Sequence, residues 1–147
     1  METYTQHHKI FEKYGLRLSL PRLVIYDYLL KNRVHPGAEA IYRQLHEEHP
    51  TLSLTTVYNT LKAFHAHGVV KLIRVEGGEL RYDVNTQFHA HFKCYRCGRL
   101  FDMPSPNEKS ILKRLPPGFR VSDTSVDFHG LCQECAEATK SPNASSQ

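Results

Sequence analysis

The sequence predicts an α+β chain in two parts, and three observations carry that reading. Apolar residues of the first half recur at helical spacing between Gly and Pro breaks; a Gly-Gly turn between two β-rich runs closes that half; and the second half sets two Cys-x-x-Cys pairs among short strand patterns.

The elements follow in order. A helix near Gln6–Tyr14 stops at Gly15. Ser19 caps and Pro21 opens a second, in which Leu23, Tyr26, Leu29 and Leu30 fall on one side. His35-Pro36-Gly37 breaks the chain, and a third helix, from about Ala38 to Glu48, places Ala40, Ile41 and Leu45 together before Pro50. The fourth runs from a Ser53 cap to about His67, where Gly68 ends it. Val69 to Val75 then reads as a strand, Glu76-Gly77-Gly78-Glu79 as a turn and Leu80 to Asp83 as the return strand. Helices with the last followed at once by a hairpin form the plan of a winged helix-turn-helix, expected over residues 1–83, with a hinge at 84–88. Residues 89–140 read as a small α+β unit: a strand at His89–Lys93, a Cys-x-x-Cys-Gly turn and a return strand at Arg99–Met103. A helix near Asn107–Leu115, a strand over Arg120–Phe128 and a short helix after the second cysteine pair complete it. Residues 141–147 are small and polar, and a disordered tail is expected there.

With 147 residues and a 40% hydrophobic share, the chain can bury a core. No apolar stretch approaches the ~20 residues of a membrane span, and Met1 to Lys9 lacks the apolar run of a signal peptide. No membrane partner is expected, and the cytoplasm is the expected compartment. Thiols stay reduced there, so four cysteines in two pairs point to metal or redox chemistry before disulfides. The net charge of +4 fits a nucleic-acid partner without requiring one.

Cys94 and Cys97 with Cys132 and Cys135 make a four-thiolate set. A turn of this spacing aims both sulfurs of a pair at one ion, and four thiolates leave Zn²⁺ no open position, so the site is structural, one per subunit. Lys93, Arg96 and Arg99 lie close enough in sequence to offset its negative charge.

A second set spans both halves. His89 and His91, two residues apart in a strand, leave the same face. Counting outward from a Cys94–Gly98 hairpin turn places His91 opposite Asp102. Asp83 ends the wing hairpin just across the hinge, and His35 lies in the break between two helices. These five give a mixed nitrogen and oxygen site that favours harder divalent ions such as Fe²⁺ or Mn²⁺, with Zn²⁺, Co²⁺ or Ni²⁺ also able to bind. His46 and His49 lack the zincin spacing, and His65 and His67 diverge around their helix, so neither pair is a chelate.

On the fourth helix Val57, Leu61 and Phe64 define a buried side. Thr55, Asn59 and Lys62 lie opposite, with Tyr58 on the flank; such side chains suit base edges and phosphates in a major groove. Arg22, near the start of the second helix, and Lys71, Arg74 and Arg81, on the wing, are candidates for phosphate contact.

From about Gln6 to Ala138 these residues resemble the ferric uptake regulator family. Leu52 to Leu61, LSLTTVYNTL, is similar to its recognition helix, Thr56 included; Phe88 to Gly98, FHAHFKCYRCG, is similar to its sensor strand and knuckle; Cys132-Gln133-Glu134-Cys135 is similar to its second zinc pair. The resemblance implies a homodimer with a C-terminal dimerisation domain, a repressor, and double-stranded DNA operators that are AT-rich inverted repeats. It carries His35, Asp83, His89, His91 and Asp102 onto a regulatory Fe²⁺ or Mn²⁺ site, one per subunit. Aspartate at both carboxylate positions resembles the peroxide-sensing branch, in which Fe²⁺ and H₂O₂ oxidise a ligand histidine, His35 or His89, and DNA of peroxide-defence genes is released. Phe88 and Ala90 stand where many relatives have further ligands.

No enzymatic activity is expected. An Fe²⁺ or Zn²⁺ uptake regulator of the same family is the nearest alternative. A metallohydrolase built on His89, His91 and a carboxylate lacks a placed general base, and a third reading is a zinc-stapled protein-interaction module that never binds DNA, which Lys62→Glu or Tyr58→Ala leaving every activity intact would favour.

Overall fold

The computed structural model describes residues 2–140; the expected disordered tail at 141–147 lies outside the described residues. The chain divides into two units, Met1–Thr86 and Gln87–Gln147.

The first unit carries four helices and a hairpin: α1 Glu2–Lys13, α2 Leu20–Lys31, α3 Ala38–His46, α4 Leu54–Ala66, β1 Lys71–Arg74 and β2 Leu80–Asp83. Helix α1 begins four residues earlier than the periodicity indicates, because residues 3–6 are exposed and their apolar spacing carries no signal. Gly15 and Gly68, both at positive φ, end α1 and follow α4 as the sequence requires. Ser53 caps α4 through its side chain, its Oγ accepting from Thr56 N at 3.1 Å. Ser19 holds the cap position of α2 without a side-chain bond; Pro at the helix start replaces that stabilisation.

One apolar cluster holds this unit together. Phe11, Ile25, Ile41, Val57, Leu61 and Phe64 are wholly buried, and the rings of Phe11, Tyr26 and Phe64 meet at centroid distances of 5.4, 5.6 and 6.0 Å. Aromatic pairs at such distances add about 0.5–1.5 kcal/mol beyond area burial. The buried side of α4 is thus Val57, Leu61 and Phe64, joined by Thr60. The hairpin pairs Lys71 with Asp83 through Arg74 with Leu80, and its turn is a single 3-10 turn with Gly77 and Gly78 at positive φ. Helices followed directly by this hairpin form the winged helix-turn-helix.

The second unit is a three-stranded sheet, β3 Ala90–Cys94, β4 Leu100–Met103 and β5 Asp127–Gly130, with α5 Glu108–Leu112 and α6 Gln133–Thr139. The order is β4-β3-β5, with β3 antiparallel to β4 and parallel to β5. Two expectations need correction. The strand expected over Arg120–Phe128 exists only as β5, because pairing with β3 runs from His91 with Asp127 to Cys94 with Gly130. The last helix includes Cys135 instead of following it, since Cys132 is its N-cap residue. Among described residues of this unit only Ala90, His91, Cys94 and Cys132 are buried, so it has little apolar core of its own. A unit this small needs a metal, a disulfide or a partner to hold it.

Candidate metal centres and nucleic-acid interface

The knuckle between β3 and β4 closes as a hairpin turn: Cys94 N donates to Arg99 O at 3.0 Å and Gly98 N to Cys94 O at 2.9 Å, with Gly98 at positive φ. Parallel pairing of β5 brings Cys132 beside it, and Cys132 N donates to Cys94 Sγ at 3.4 Å. The four Sγ atoms of Cys94, Cys97, Cys132 and Cys135 lie within 4.8 Å of one another. Cys97 and Cys132 Sγ are 3.8 Å apart, the edge expected of a tetrahedron with Zn–S bonds of about 2.3 Å. The donor set therefore fits Zn²⁺.

The thiols are unequal. Backbone donors from Cys97 and Cys132 lower the Cys94 thiol to about 6, and Arg99 lowers Cys97. Burial, then neighbouring sulfurs, push Cys135 up to about 12. Crowded thiols resist full ionisation unless a cation shares the site. Arg99 reaches Cys97 Sγ with Nε at 3.4 Å and Cys132 Sγ with Nη2 at 3.8 Å, and also pairs with Glu134. Arg96 donates to Cys135 O at 3.3 Å. Lys93 pairs elsewhere: its Nζ lies 3.7 Å from Asp127 Oδ1, Asp127 being the β5 partner of His91, two residues back on the same face of β3.

In the first unit His35 and Asp83 form a buried pair, Nε2 to Oδ2 at 3.2 Å, with side chains 5% and 6% exposed. His35 has φ +52°, a conformation uncommon outside glycine. Asp83, the last residue of β2, accepts Asn85 N on Oδ1 at 2.8 Å, which orients the carboxylate. In the second unit His89, His91 and Asp102 cluster. His91 pairs with Asp102 across the β3–β4 ladder, as counting from the knuckle indicates. The two imidazole centroids are 4.5 Å apart. His89 Nδ1 lies 2.7 Å from Gln87 O, leaving Nε2 toward Asp102 Oδ1 at 3.1 Å. Asp127 was not indicated by the sequence: its Oδ1 is 4.0 Å from His91 Nδ1, on the side away from Asp102. Only the parallel β3–β5 register puts it there, and no local pattern reports such a pairing.

Thr55, Tyr58, Asn59 and Lys62 on α4 are exposed, whereas Thr56 is half-buried. Its Oγ1 sits 2.8 Å from Ser53 Oγ, committed to the helix cap. Arg22 donates through Nη1 to Arg17 O, and Arg17, Arg22, Thr56 and Asn59 line one open groove beside the start of α2. Arg81 departs from the wing-surface expectation. Its Nη1 donates to His35 O at 3.3 Å and its Nε lies 3.1 Å from Glu79 Oε1, so it turns toward the 35–37 segment.

Comparison with known proteins agrees with this architecture. The model of the ferric uptake regulator family matches residues 13–129. The peroxide operon regulator of Bacillus subtilis (strain 168) is 35% identical over 125 residues, 84% of this chain and 86% of its own. The peroxide-responsive repressor PerR of Staphylococcus aureus (strain Mu50) is 34% identical over 125 residues, 84% of each chain. A solved zinc uptake regulator complexed with zinc and DNA aligns with a TM-score of 0.72 at 26% identity, over 95% of this chain and 96% of that one. The chain belongs to the ferric uptake regulator family, whose members are metal-dependent, DNA-binding transcriptional repressors and not enzymes.

Proposed function

We propose that this chain is a peroxide-sensing repressor. Cys94, Cys97, Cys132 and Cys135 hold one structural Zn²⁺ per subunit, and His35 and Asp83 join His89, His91 and Asp102 around one regulatory Fe²⁺ or Mn²⁺. The observation that carries the reading is the donor chemistry. Each histidine group stands against an aspartate, His35 with Asp83 and His89 and His91 with Asp102, giving nitrogen and carboxylate oxygen with no thiolate, a set suited to Fe²⁺ or Mn²⁺. Similarity to peroxide regulators at 34–35% identity supports the stimulus.

The residues act as a latch between the two units. Both members of the first pair belong to the winged-helix unit and the other three to the second, so one ion held by all five favours one arrangement of the DNA-binding unit. Differential binding to that arrangement is what a switch requires. An Fe²⁺ held by these residues would catalyse oxidation of a ligand ring, His35 or His89, by H₂O₂: one peroxide oxygen would enter a ring C–H bond and the other would leave as water. An oxidised ring is a poorer ligand, and the latch opens. The repressor acts in the cytoplasm as a homodimer on an AT-rich inverted repeat. Exposed Phe119, Val121 and Phe128 of the second unit support self-association, and Thr55, Tyr58, Asn59 and Lys62 face the groove with Arg22 and Thr56 at the helix starts.

The test is DNA binding by the zinc-loaded protein with Fe²⁺ or Mn²⁺ under anaerobic conditions, before and after one H₂O₂ pulse. Release from the Fe²⁺ form alone, with one added oxygen on His35 or His89 by mass spectrometry, is the expected result. Metal-dependent binding indifferent to peroxide would instead make the protein a metal-uptake regulator.

A further inference from the structure

His35 is held in an unusual backbone conformation by groups that are not among the proposed metal ligands. Its φ of +52° lies in the left-handed region, where a side chain crowds its own backbone. Pro36 and Gly37 follow it against the wing: Tyr82 N donates to Pro36 O at 3.1 Å. At Gly37 a Cβ would stand 2.9 Å from Glu79 Oε1 and 3.3 Å from Leu80 O. The glycine thus lets β2 and the Glu79 carboxylate close over the loop. Arg81 completes the arrangement. Its guanidinium, beside the Glu79 carboxylate at 3.1 Å, donates to the His35 carbonyl at 3.3 Å. A charged donor on that carbonyl fixes the peptide plane following His35, and the plane sets where the imidazole leaves the chain.

We infer that Arg81, braced by Glu79, is the positioning residue for His35, and that it ties the conformation of wing strand β2 to the ligand on which the switch depends. This rests on the reading of His35 as a regulatory ligand. Arg81 touches no proposed donor atom; it acts through the His35 backbone. Two alternate residues of one short strand then serve one centre, Arg81 through the His35 carbonyl and Asp83 directly. Gly37 contributes sterically, since a side chain there would press on the Leu80 carbonyl and shift the Glu79 carboxylate that braces Arg81.

The experiment uses the full-length, zinc-loaded protein and the variants Arg81→Leu and Arg81→Lys, with Mn²⁺ as the probe. Arg81→Leu is expected to weaken Mn²⁺ binding, read by electron paramagnetic resonance of the free ion, by about 10-fold or more, the usual effect of removing a group that orients a ligand. It is also expected to move peroxide-derived oxygen from His35 toward His89 in the Fe²⁺ protein. Arg81→Lys keeps a cationic donor and should recover part of both. Nuclear magnetic resonance of the His35 ring in the metal-free protein gives an independent readout, expected to shift in Arg81→Leu. Unchanged Mn²⁺ affinity, oxidation pattern and ring resonances in Arg81→Leu would overturn the proposal. Failure of the unsubstituted protein to bind Mn²⁺ would instead remove the metal reading, while the ring resonances still report whether Arg81 positions His35.

Discussion

Asp102 stands directly across from His91 in the β3–β4 ladder, yet its Oδ1 lies closer to His89 Nε2, at 3.1 Å, than to His91 Nε2, at 3.6 Å. One carboxylate therefore serves two imidazoles, one opposite it and one diagonal to it. Asp102→Asn preserves the shape and removes the charge. Changes to groups that merely orient ligands cost about 10–100-fold in metal affinity, so loss of this carboxylate should cost at least that much for Mn²⁺. The side chain is 46% exposed, and fold stability should change by no more than about 0.5 kcal/mol. Calorimetric Mn²⁺ titration beside thermal melts of the same variant would decide it; retained affinity would remove Asp102 from the site.

The two units should respond unequally to zinc removal. The first has a continuous apolar cluster reaching from Phe11 to Tyr82. The second buries only Ala90, His91, Cys94 and Cys132 among its described residues, and in such a unit metal binding supplies folding free energy. In Cys135→Ser, amides of β3 and β5 should lose hydrogen-exchange protection while those of α4 keep it. Uniform loss throughout the chain would show that the first unit depends on zinc as well.

Local patterns made part of this structure legible. The spacing of Val57, Leu61 and Phe64 gives the buried side of α4, and the Cys94–Gly98 turn gives the antiparallel register that sets His91 against Asp102. What resisted reading depends on non-local pairing. Strand β5 is four residues long and lies parallel to β3, more than thirty residues away, and Val121, within the longer strand expected over Arg120–Phe128, is exposed. Arg81 was equally illegible: alternation marks it as a wing residue, but only the closing of Pro36 and Gly37 against β2 turns it to the His35 carbonyl.

Stability of the first unit should fall with acid through His7. The residue is 2% exposed, its ring set edge-on against Tyr26 with centroids 5.1 Å apart, and Nδ1 has no hydrogen-bond partner among the described residues. Burial lowers its pKa, Asp27 opposes that shift and Lys31 reinforces it. Because the folded value is depressed, the unfolded chain takes up the proton first. The contribution is complete above the ordinary histidine value and is lost as pH falls from there through the folded value. Urea unfolding at about pH 7.5 and about pH 5.5 should show a larger difference for the unsubstituted protein than for His7→Phe. Equal differences would mean that His7 takes no part.

On α4 the exposed polar residues should divide by what they contact. Lys62 is a long, flexible cation on the exposed face, suited to a phosphate; its loss should weaken binding to all DNA sequences alike and reduce the slope of log affinity against log salt by about 1. Asn59, one turn nearer the helix start, carries an amide that can pair with an adenine edge, a contact worth about 1–3 kcal/mol of discrimination. Asn59→Ala should therefore leave the salt slope unchanged and narrow the gap between operator and random DNA. Neither side chain is buried, so both variants should melt like the unsubstituted protein. Fluorescence anisotropy over a salt series, on an AT-rich inverted repeat and a scrambled duplex, separates the two effects. If Lys62→Gln changed sequence preference and Asn59→Ala changed the salt slope, the helix would sit in the groove in another orientation, with Lys62 over the bases.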